Sequence, residues 1–439
     1  MTVRPRVAPV TSPSVAPRRV HRAWLVAGVT FLVLVLSAAF RSSTGLMIVP
    51  IELDLGWSRS ITSLAVAVNL FFYGVTAPFA AALMERFGVA RVASIALVLI
   101  AAGTGLTSVM TAPWQIVVLW GVLVGLGVGA TALVFGSLLV GRWFVRHRGV
   151  VMGVLGAAWA TGQLVFLPLI AQVVDRVGWR VVSLVIALAC LALIPLVLRV
   201  IADRPSDVGL EPYGATELVP VTANSTGSGW RAAASAVTTL RWAMRSGTFW
   251  LLAGTFFVCG WTTNGIISTH FIPAAHDHGM TAPVAAGLLA VVGLFDLIGT
   301  IGSGWLSDRF DPRLLLAAYY VLRGLALLAV PIALGPDPSP PLLVVMVLFG
   351  LDWVATVPPT VLLCQRAFGV DRGAVVFGWV FAAHMVGAAV AAAVSGGLRD
   401  AVGDYAGAWY LAGVLALAAG AAAVAIPRRL ATVATSAAS

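Results

Sequence analysis

The chain has 439 residues, of which 60% are hydrophobic and only 10% are charged, and its mean hydropathy is +0.99. Soluble domains carry about 25% charged residues, so this composition excludes an ordinary soluble protein and predicts a polytopic helical membrane protein. All 27 basic residues are arginine, and a chain without lysine forms neither a Walker A nucleotide site nor a Schiff base, which argues against ATP-driven pumping.

The first 23 residues are rich in Pro, Val and Arg and predict a disordered cytoplasmic tail. Twelve apolar stretches follow, each close to the length of about 20 residues that crosses the hydrocarbon core as a helix. The first stretch continues past Ser37 to Pro50, which is too long for the apolar region of a signal peptide, so we expect an uncleaved span. We number the predicted spans 1 to 12 in chain order: 24–50, 61–84, 90–110, 114–141, 150–174, 179–201, 247–272, 282–306, 313–334, 341–365, 374–398 and 405–427.

A polar segment at residues 202–246 separates spans 6 and 7. It contains the stretches DRPSDVGLEPYG and NSTGSG, and then WRAAASAVTTLRWAMR, whose Trp and Arg ends predict an interfacial helix on the cytoplasmic face. We therefore expect two six-helix bundles, at 24–201 and 247–427, joined by this linker and followed by a cytoplasmic tail at 428–439.

The arginines are distributed unevenly between the two sides of the predicted membrane. If the N-terminus is cytoplasmic, all but six of the 27 arginines fall in cytoplasmic segments. The positive-inside rule therefore predicts that both termini lie in the cytoplasm, in a multi-pass protein of the cytoplasmic membrane. The same asymmetry argues against nucleic acid as the reason for the net charge of +10. The six exceptions are Arg59, Arg176, Arg180 and Arg399 in outer loops and Arg41 and Arg323 within spans.

Short charged motifs recur half the chain apart. The offset between the copies stays between 223 and 225 residues, and each copy lies in the corresponding loop of its half. Such a repeat indicates two homologous halves, which is typical of secondary transporters that alternate access around a midplane site. The recurring motifs are Glu85-Arg86 with Asp308-Arg309, Arg142 and Phe144 with Arg366 and Phe368, Arg148-Gly149 with Arg372-Gly373, and Asp175 with Asp400.

The loop GWLSDRFDPR at residues 304–313 resembles the loop signature of the major facilitator superfamily. In that family the loop latches the ends of neighbouring helices and helps to gate transport. The resemblance implies an all-α membrane protein with twelve transmembrane helices in two pseudo-symmetric six-helix bundles. In the first copy Leu83 also matches, whereas Glu85 replaces the aspartate and Ala81 the first glycine. The residues to which the resemblance gives a gating role are Glu85, Arg86, Gly88, Arg91, Gly304, Asp308, Arg309 and Arg313.

Three further stretches resemble the monocarboxylate and oxalate/formate antiporter branch of the superfamily: spans 1 to 2 from RAWLVAGVT, the linker motif RPSDVGLEPYG, and RWFVRHRGVVMGVLGAAWATGQ leading into span 5. The resemblance implies a secondary active transporter of a small organic anion, a carboxylate, working by proton symport or by antiport. Span 8 departs from the branch. Asp296 matches the aspartate of the monocarboxylate carriers, but Thr300 stands where these carriers and the oxalate exchangers have an arginine, which puts an oxalate-type dicarboxylate clamp in doubt.

The drug-efflux branch is the alternative. Its fourth span carries an arginine where this chain has Gly121, and its fifth span carries a GPxxGG core that GVLGAAWATGQ lacks. An exporter of a drug-like or natural-product compound therefore remains the second functional hypothesis. No HExxH or GxSxG motif supports an enzyme.

Charged residues inside the spans are the first candidates for a site, because each costs about 2.5–3.5 kcal/mol to insert. Arg41 in span 1 is expected to bind the anion, since arginine holds carboxylates with two parallel bonds. The alternative is a structural pair, or a side chain that reaches to the outer surface of the membrane. We expect Arg323 in span 9 to form a structural ion pair with Asp296 or with Asp352. The unpaired acid would then carry a proton. Asp352, beside the helix-disturbing pair Pro358-Pro359, is the preferred residue for substrate or proton handling.

Several neutral polar residues complete the predicted substrate site. His384 in span 11 is expected to bind substrate or to carry a proton, and the alternative is a buried neutral imidazole bonded to a neighbouring helix. For each of the other neutral polar residues the alternative is an interhelical hydrogen bond. We weighed a zinc site at His270, His276, Asp277 and His278, but their spacing matches no metal signature, so no metal or cofactor is expected. The expected partners are a small-molecule substrate and lipids, with no nucleic acid and no ATP, and we expect a monomer. The further site residues are Asn69, Tyr73, Gln163 and Asn264.

Overall fold

A computed structural model of the chain describes residues 21–161, 166–215 and 229–428. Helices lie in all twelve predicted segments, and ten of the described helical stretches are long and apolar enough to cross a bilayer. The two predicted spans outside these ten are span 2, which corresponds to α2, and span 5, which corresponds to α7 together with α8. In chain order the helices are α1 Arg22–Leu55, α2 Arg59–Phe87, α3 Val89–Thr107, α4 Pro113–Ile116, α5 Gly125–Ala130, α6 Leu133–Trp143, α7 Arg148–Thr161, α8 Leu167–Val177, α9 Trp179–Val200, α10 Gly229–Ala243, α11 Gly247–Gly260, α12 Ser268–Asp277, α13 Ala282–Ser307, α14 Pro312–Ala333, α15 Pro340–Asp352, α16 Val357–Phe368, α17 Val370–Val402 and α18 Ala406–Val424.

In the part of the chain that the structure describes, spans 4, 7 and 10 depart from a regular α-helix. In span 4 a π-helical stretch, Val117–Val124, joins α4 to α5, and in span 7 the π-helical stretch Trp261–Ile267 joins α11 to α12. Span 10 is broken at residues 353–356, between α15 and α16. Irregular backbone at membrane depth is tolerated only where neighbouring groups satisfy its polar atoms. These three places are therefore where polar side chains are needed.

The helices run between two ends of the molecule, the linker end and the far end. The linker end carries the linker and the loop between α13 and α14, and the far end carries the loops between α1 and α2 and between α17 and α18. At the linker end, Gly88 ends α2 and begins α3 with a φ of 89°, a conformation that favours glycine. This single residue reverses the chain between two long helices.

The two halves pack against each other through α1 on α12, α2 on α17, and α8 on α13. Small residues allow the close approach, because a Cβ added to Gly45 of α1 would lie only 2.5 Å from the carbonyl oxygen of Ser268 in α12. A Cβ added to Gly74 of α2 would likewise lie too close to the Met385 side chain of α17. Helices in membranes associate through such small-residue contacts.

The described part of the linker packs on both halves. The Asp203 carboxylate accepts a hydrogen bond from the backbone N–H of Val89, the first residue of α3, at 2.6 Å. Helix α10 lies where the interfacial helix is predicted, and it packs against α2 and α17. The Trp379 indole of α17 donates to the Ala236 carbonyl of α10 at 3.0 Å, and the Arg372 guanidinium lies 4.9 Å from the ring of Trp242. The linker therefore touches both bundles at one end of the molecule.

Candidate substrate-binding site

Arg41 lies between the two halves. It is half-buried near the middle of α1, and its guanidinium carbon is 4.4 Å from the centre of the Tyr73 ring in α2. Its Nη2 group donates to the sulfur of Met385 in α17 at 3.9 Å. A guanidinium over an aromatic face is held by the ring quadrupole and keeps its N–H groups along its edge. The sequence-predicted anion ligand is thus in contact with residues of both halves.

Aromatic rings connect Tyr73 to the second half. The ring of Tyr73 meets Phe381 of α17 edge-on at 6.3 Å. Phe381 in turn stacks on His384 with a ring distance of 5.6 Å and an interplanar angle of 7°, and Phe256 of α11 lies against the same imidazole at 4.9 Å. These contacts fix the orientation of the His384 ring.

His384 forms a polar pair with Asn264 of the π-helical stretch in span 7. Asn264 Nδ2 lies 3.0 Å from His384 Nε2, and both residues are more than nine-tenths buried. Four predicted site residues, Arg41, Tyr73, Asn264 and His384, therefore occupy one region where α1, α2, span 7 and α17 meet. We call this group the central cluster.

Arg323 of α14 is paired with Asp352, not with Asp296. Its Nε donates to the Asp352 carboxylate at 2.5 Å and its Nη2 to the Asp352 carbonyl at 2.7 Å. The same guanidinium reaches the Cys259 sulfur at 3.1 Å and the Thr262 hydroxyl at 3.2 Å. Asp352 is the last residue of α15, and the break in span 10 leaves its carbonyl without a helical hydrogen bond. Its side chain and its carbonyl therefore both face the arginine. This explains why Arg323 binds Asp352 rather than the acid of span 8.

Asp296 supports the other side of the break. Its Oδ1 accepts from the Thr300 hydroxyl, one turn along α13, at 3.0 Å and from the backbone N–H of Val354 at 3.1 Å. Ser303 of the same helix donates to the Ala355 carbonyl at 2.5 Å. Asp296 is 8% exposed, and its carboxylate makes no direct bond to Arg323, which pairs with Asp352. Thr300, whose place in the branch is taken by arginine, is thus a hydrogen-bond donor to the acid.

Of the remaining predicted site residues, Asn69 lies outside the central cluster. The Asn69 amide donates to the Trp120 carbonyl at 2.7 Å, a bond between α2 and span 4 of the same half. Gln163 lies outside the described residues. The role in substrate binding that we expect for both stays a prediction.

A polar network at the far end was not predicted. Arg59 at the start of α2 binds the Glu52 carboxylate of α1 at 2.5 Å, and its Nη1 donates to the Tyr405 hydroxyl at 2.8 Å. Its Nη2 lies 3.8 Å from the carboxylate of Asp277, which Arg399 also binds at 2.6 Å. Because Glu52 and Arg59 belong to the first half and the others to the second, this far-end network joins the halves.

Two more contacts extend the far-end network. The Asp400 carboxylate of α17 accepts from the backbone N–H of Ser60 in α2 at 2.8 Å and from its hydroxyl. His270 bonds the Tyr405 hydroxyl at 3.0 Å and the Ala392 carbonyl at 2.9 Å, so both ring nitrogens are engaged. Within the described residues no three His, Cys, Asp or Glu side chains converge as metal ligands. Asp400 was visible in the sequence only as half of the repeat with Asp175.

The predicted gating loops lie at the linker end and are largely exposed. The Arg309 guanidinium lies 4.0 Å from the Trp305 ring, and Asp308 is exposed. Arg313 binds Asp311 at 2.8 Å and donates to the Ile426 carbonyl, beyond the end of α18, at 2.8 Å. The hydrogen bonds from Arg313 hold the pKa of the Asp311 carboxyl below its usual value. The loop is therefore attached to the end of span 12 through Arg313.

The model of the Major Facilitator Superfamily matches residues 30–392 of this chain. The chain belongs to the Major Facilitator Superfamily. The superfamily fold that the sequence predicted is confirmed, and the chain is a multi-pass membrane transporter and not an enzyme.

Superfamily relatives align with most of the chain. An uncharacterized MFS-type transporter of Bacillus subtilis (strain 168), YcxA, is 25% identical over 391 residues, which cover 87% of this chain and 90% of the relative. Monocarboxylate transporter 13 of Rattus norvegicus is 27% identical over 377 residues, which cover 84% and 79% of the two chains. The crystal structure of a D-xylose–proton symporter matches with a TM-score of 0.69 over 93% of this chain and 99% of its own, at 14% identity, and shows the fold alone.

Proposed function

We propose that this protein is a secondary active transporter that moves a small organic monocarboxylate across the cytoplasmic membrane by alternating access. The observation that carries the proposal is the position of Arg41, whose guanidinium contacts Tyr73 of one half and Met385 of the other. A cation at the interface of two moving halves can bind an anion from either side in turn. The resemblance to a relative named monocarboxylate transporter 13 supports the same substrate class.

We propose that the linker end faces the cytoplasm, because it carries most of the arginines. The bundles at 24–201 and 247–427 then rock against each other, joined by the linker. The loops at Glu85 to Arg91 and at Gly304 to Arg313 gate the cytoplasmic side. The far-end network, which joins Arg59 to Tyr405, holds the outer side closed in the conformation described here.

Proton coupling is assigned to Asp296. Asp352 already neutralises Arg323, whereas Asp296 is a buried acid held by neutral donors, Thr300 and the Val354 N–H. Protonation of this carboxyl group breaks no ion pair, because neither of its two donors is charged. Symport with a proton is therefore the favoured mode, and exchange of two anions is the other mode that the same site permits.

The test is uptake by proteoliposomes that contain the purified protein. Radiolabelled monocarboxylates of two to ten carbons are supplied outside under an inward proton gradient, and a dicarboxylate and a cationic amphiphile serve as comparison substrates. Arg41→Gln removes the charge and is expected to abolish uptake, whereas Arg41→Lys retains a point charge without the bidentate fork and is expected to reduce it. Monocarboxylate uptake that is equal in wild type and Arg41→Gln contradicts the proposal.

Export of a larger amphiphilic compound is the second candidate, and the aromatic residues Tyr73, Phe256 and Phe381 near Arg41 favour it. The same proteoliposomes separate the two functions. Transport of the cationic amphiphile that persists in Arg41→Gln, without transport of any monocarboxylate, identifies the protein as an exporter of this kind.

A further inference from the structure

The side-chain amide of Asn264 is bonded at one atom and unpaired at the other. Its Nδ2 lies 3.0 Å from His384 Nε2, and because an amide NH₂ group only donates, Nε2 accepts and the proton of the neutral ring is on Nδ1. The other amide atom, Oδ1, is fully buried and has no hydrogen-bond partner among the described residues. Buried acceptors nearly always have a donor, so one without a donor calls for a functional explanation.

The imidazole that bonds the Asn264 amide is held in one orientation. The imidazole of His384 stacks flat on Phe381 and packs against Phe256, so its Nε2 stays directed at Asn264. Asn264 itself lies in the π-helical stretch Trp261–Ile267, and such stretches are frequent at functional sites. The unpaired Oδ1 is therefore presented as an acceptor at a fixed position.

This acceptor belongs to the same region as Arg41. Met385, which receives the hydrogen bond from Arg41, directly follows His384 in α17. Phe381, which holds the imidazole, also meets Tyr73, the ring under the Arg41 guanidinium. The Arg41 cation and the Asn264 acceptor therefore flank one stretch of α17 from the two halves of the molecule.

In the central cluster Arg41 is the cation that can bind a carboxylate. Asp352 and Arg323 neutralise each other in the neighbouring ion pair, with side chains 4% and 0% exposed. Arg41 then supplies one positive charge, and Asn264 and His384 supply neutral polar atoms. A second carboxylate next to Oδ1 would bring lone pairs against lone pairs, which is a repulsive contact that discriminates between ligands.

We infer that Asn264 Oδ1 accepts a hydrogen bond from a neutral donor, a hydroxyl or an N–H, on a monocarboxylate whose carboxylate is bound by Arg41. The inference rests on the proposed function and narrows its substrate class to hydroxy- or amido-substituted monocarboxylates. Asn264 is then a specificity-determining residue. Unsubstituted acids lack the donor, and dicarboxylates place a charge where the acceptor lies.

The experiment measures binding to the full chain in lipid nanodiscs by isothermal titration, with four probes of the same carbon number: butyrate, 2-hydroxybutyrate, 3-hydroxybutyrate and succinate. Wild type is expected to bind at least one hydroxybutyrate about three- to tenfold more tightly than butyrate, the worth of one neutral hydrogen bond. Succinate is expected to bind more weakly than that hydroxybutyrate. Asn264→Leu is expected to bind butyrate and the hydroxybutyrates equally.

Two further variants serve as controls. Asn264→Gln retains the amide but moves it by one methylene, and it is expected to lose the hydroxyl preference as well, which covers the case of a poorly folded leucine variant. Thr107→Val removes a buried hydroxyl of α3 that is bonded to the Thr104 carbonyl, and it is expected to keep the preference.

The outcomes separate this inference from the proposed function. If wild type binds butyrate and the hydroxybutyrates equally, or if the preference survives in both Asn264 variants, the inference is wrong while monocarboxylate transport stands. If no probe binds wild type, or if Arg41→Gln binds every probe as wild type does, the proposed function fails and the inference fails with it.

Discussion

Arg59 in the first half donates a 2.8 Å hydrogen bond through Nη1 to the hydroxyl of Tyr405 in the second half. Arg59 is 7% exposed and Tyr405 1% exposed, so water cannot replace this bond without separating the helices. Charge-assisted hydrogen bonds of this kind are roughly twice as strong as neutral ones. The contact ties the two halves at the far end, and the proposed alternating access requires that it break and re-form in each cycle.

Arg59→Gln is expected to shift the protein toward a conformation that is open at the far end. The substitution removes the bond to Tyr405 and leaves the Glu52 carboxylate, whose side chain is 14% exposed, without its ion-pair partner. Truncating one member of a mostly buried charge pair costs about 2–5 kcal/mol of binding or folding free energy. Spin labels on Leu53→Cys and Val402→Cys report the opening, because both residues are exposed at the far end of different halves. The distance distribution is expected to gain a longer component in Arg59→Gln. The three natural cysteines are buried, so they leave the labelling specific.

Arg180→Gln is the matched control for the far-end prediction. Arg180 also pairs with an acid, Asp54, but both belong to the first half and both are substantially exposed. Its loss is expected to change the distances little, since exposed pairs contribute about 0–1 kcal/mol. Equal shifts in Arg59→Gln and Arg180→Gln would show that the far-end network does not hold the halves together.

Asp352→Asn is expected to destabilise the protein more than the replacement of both members of the Arg323–Asp352 pair. The single change leaves a buried guanidinium without its counter-charge, which costs about 3–5 kcal/mol, whereas Arg323→Met with Asp352→Leu removes both charges and can be close to neutral. Thermal unfolding in detergent measures the two variants. A double variant that is less stable than Asp352→Asn contradicts the prediction and implies that the arginine bonds to Cys259 and Thr262 matter more than the charge pair.

The fold could be predicted from the sequence because lipid imposes simple rules. Spans must be long and apolar, arginines collect on one side, and the repeat of Glu85-Arg86 in Asp308-Arg309 reports the two halves directly. The break in span 10 could also be predicted, from the pair Pro358-Pro359 near Asp352. Local pattern and membrane physics suffice for all of these features.

The partners of the buried charges could not be predicted in the same way. Whether Arg323 meets Asp296 or Asp352 depends on which carbonyls the break in span 10 frees, and this is a property of the packed helices. The far-end network was missed because Arg59 and Tyr405 lie 346 positions apart and carry no shared motif. Sequence spacing reports faces of one helix, but it does not report which helices of the two halves meet.

Asp311→Asn is expected to lower stability at neutral pH and to have no effect in strong acid. Hydrogen bonds from Arg313 lower the pKa of Asp311 in the folded state, so the carboxylate contributes stability above its unfolded pKa of about 3.9. This contribution is lost as the pH falls through the lower, folded pKa. Because the pair is partly exposed, we expect about 0.2–1 kcal/mol. Unfolding midpoints of wild type and Asp311→Asn from pH 7 to pH 2 measure the effect, and a difference that grows toward acid contradicts the assignment.

Asp296→Asn is expected to separate proton movement from anion exchange. The asparagine Oδ1 can still accept from the Thr300 hydroxyl and the Val354 N–H, so the support of the break in span 10 is retained. The site then has no acid that can take up a proton at this position. In proteoliposomes we expect monocarboxylate uptake driven by a proton gradient to fall at least tenfold, while exchange of labelled for unlabelled anion continues. Thr300→Val keeps the acid and removes one of its donors, so gradient-driven uptake is expected to persist in that variant. Proton-driven accumulation that survives in Asp296→Asn excludes this residue as the coupling site, and loss of both activities shows instead that the carboxylate is needed to hold span 10 in shape.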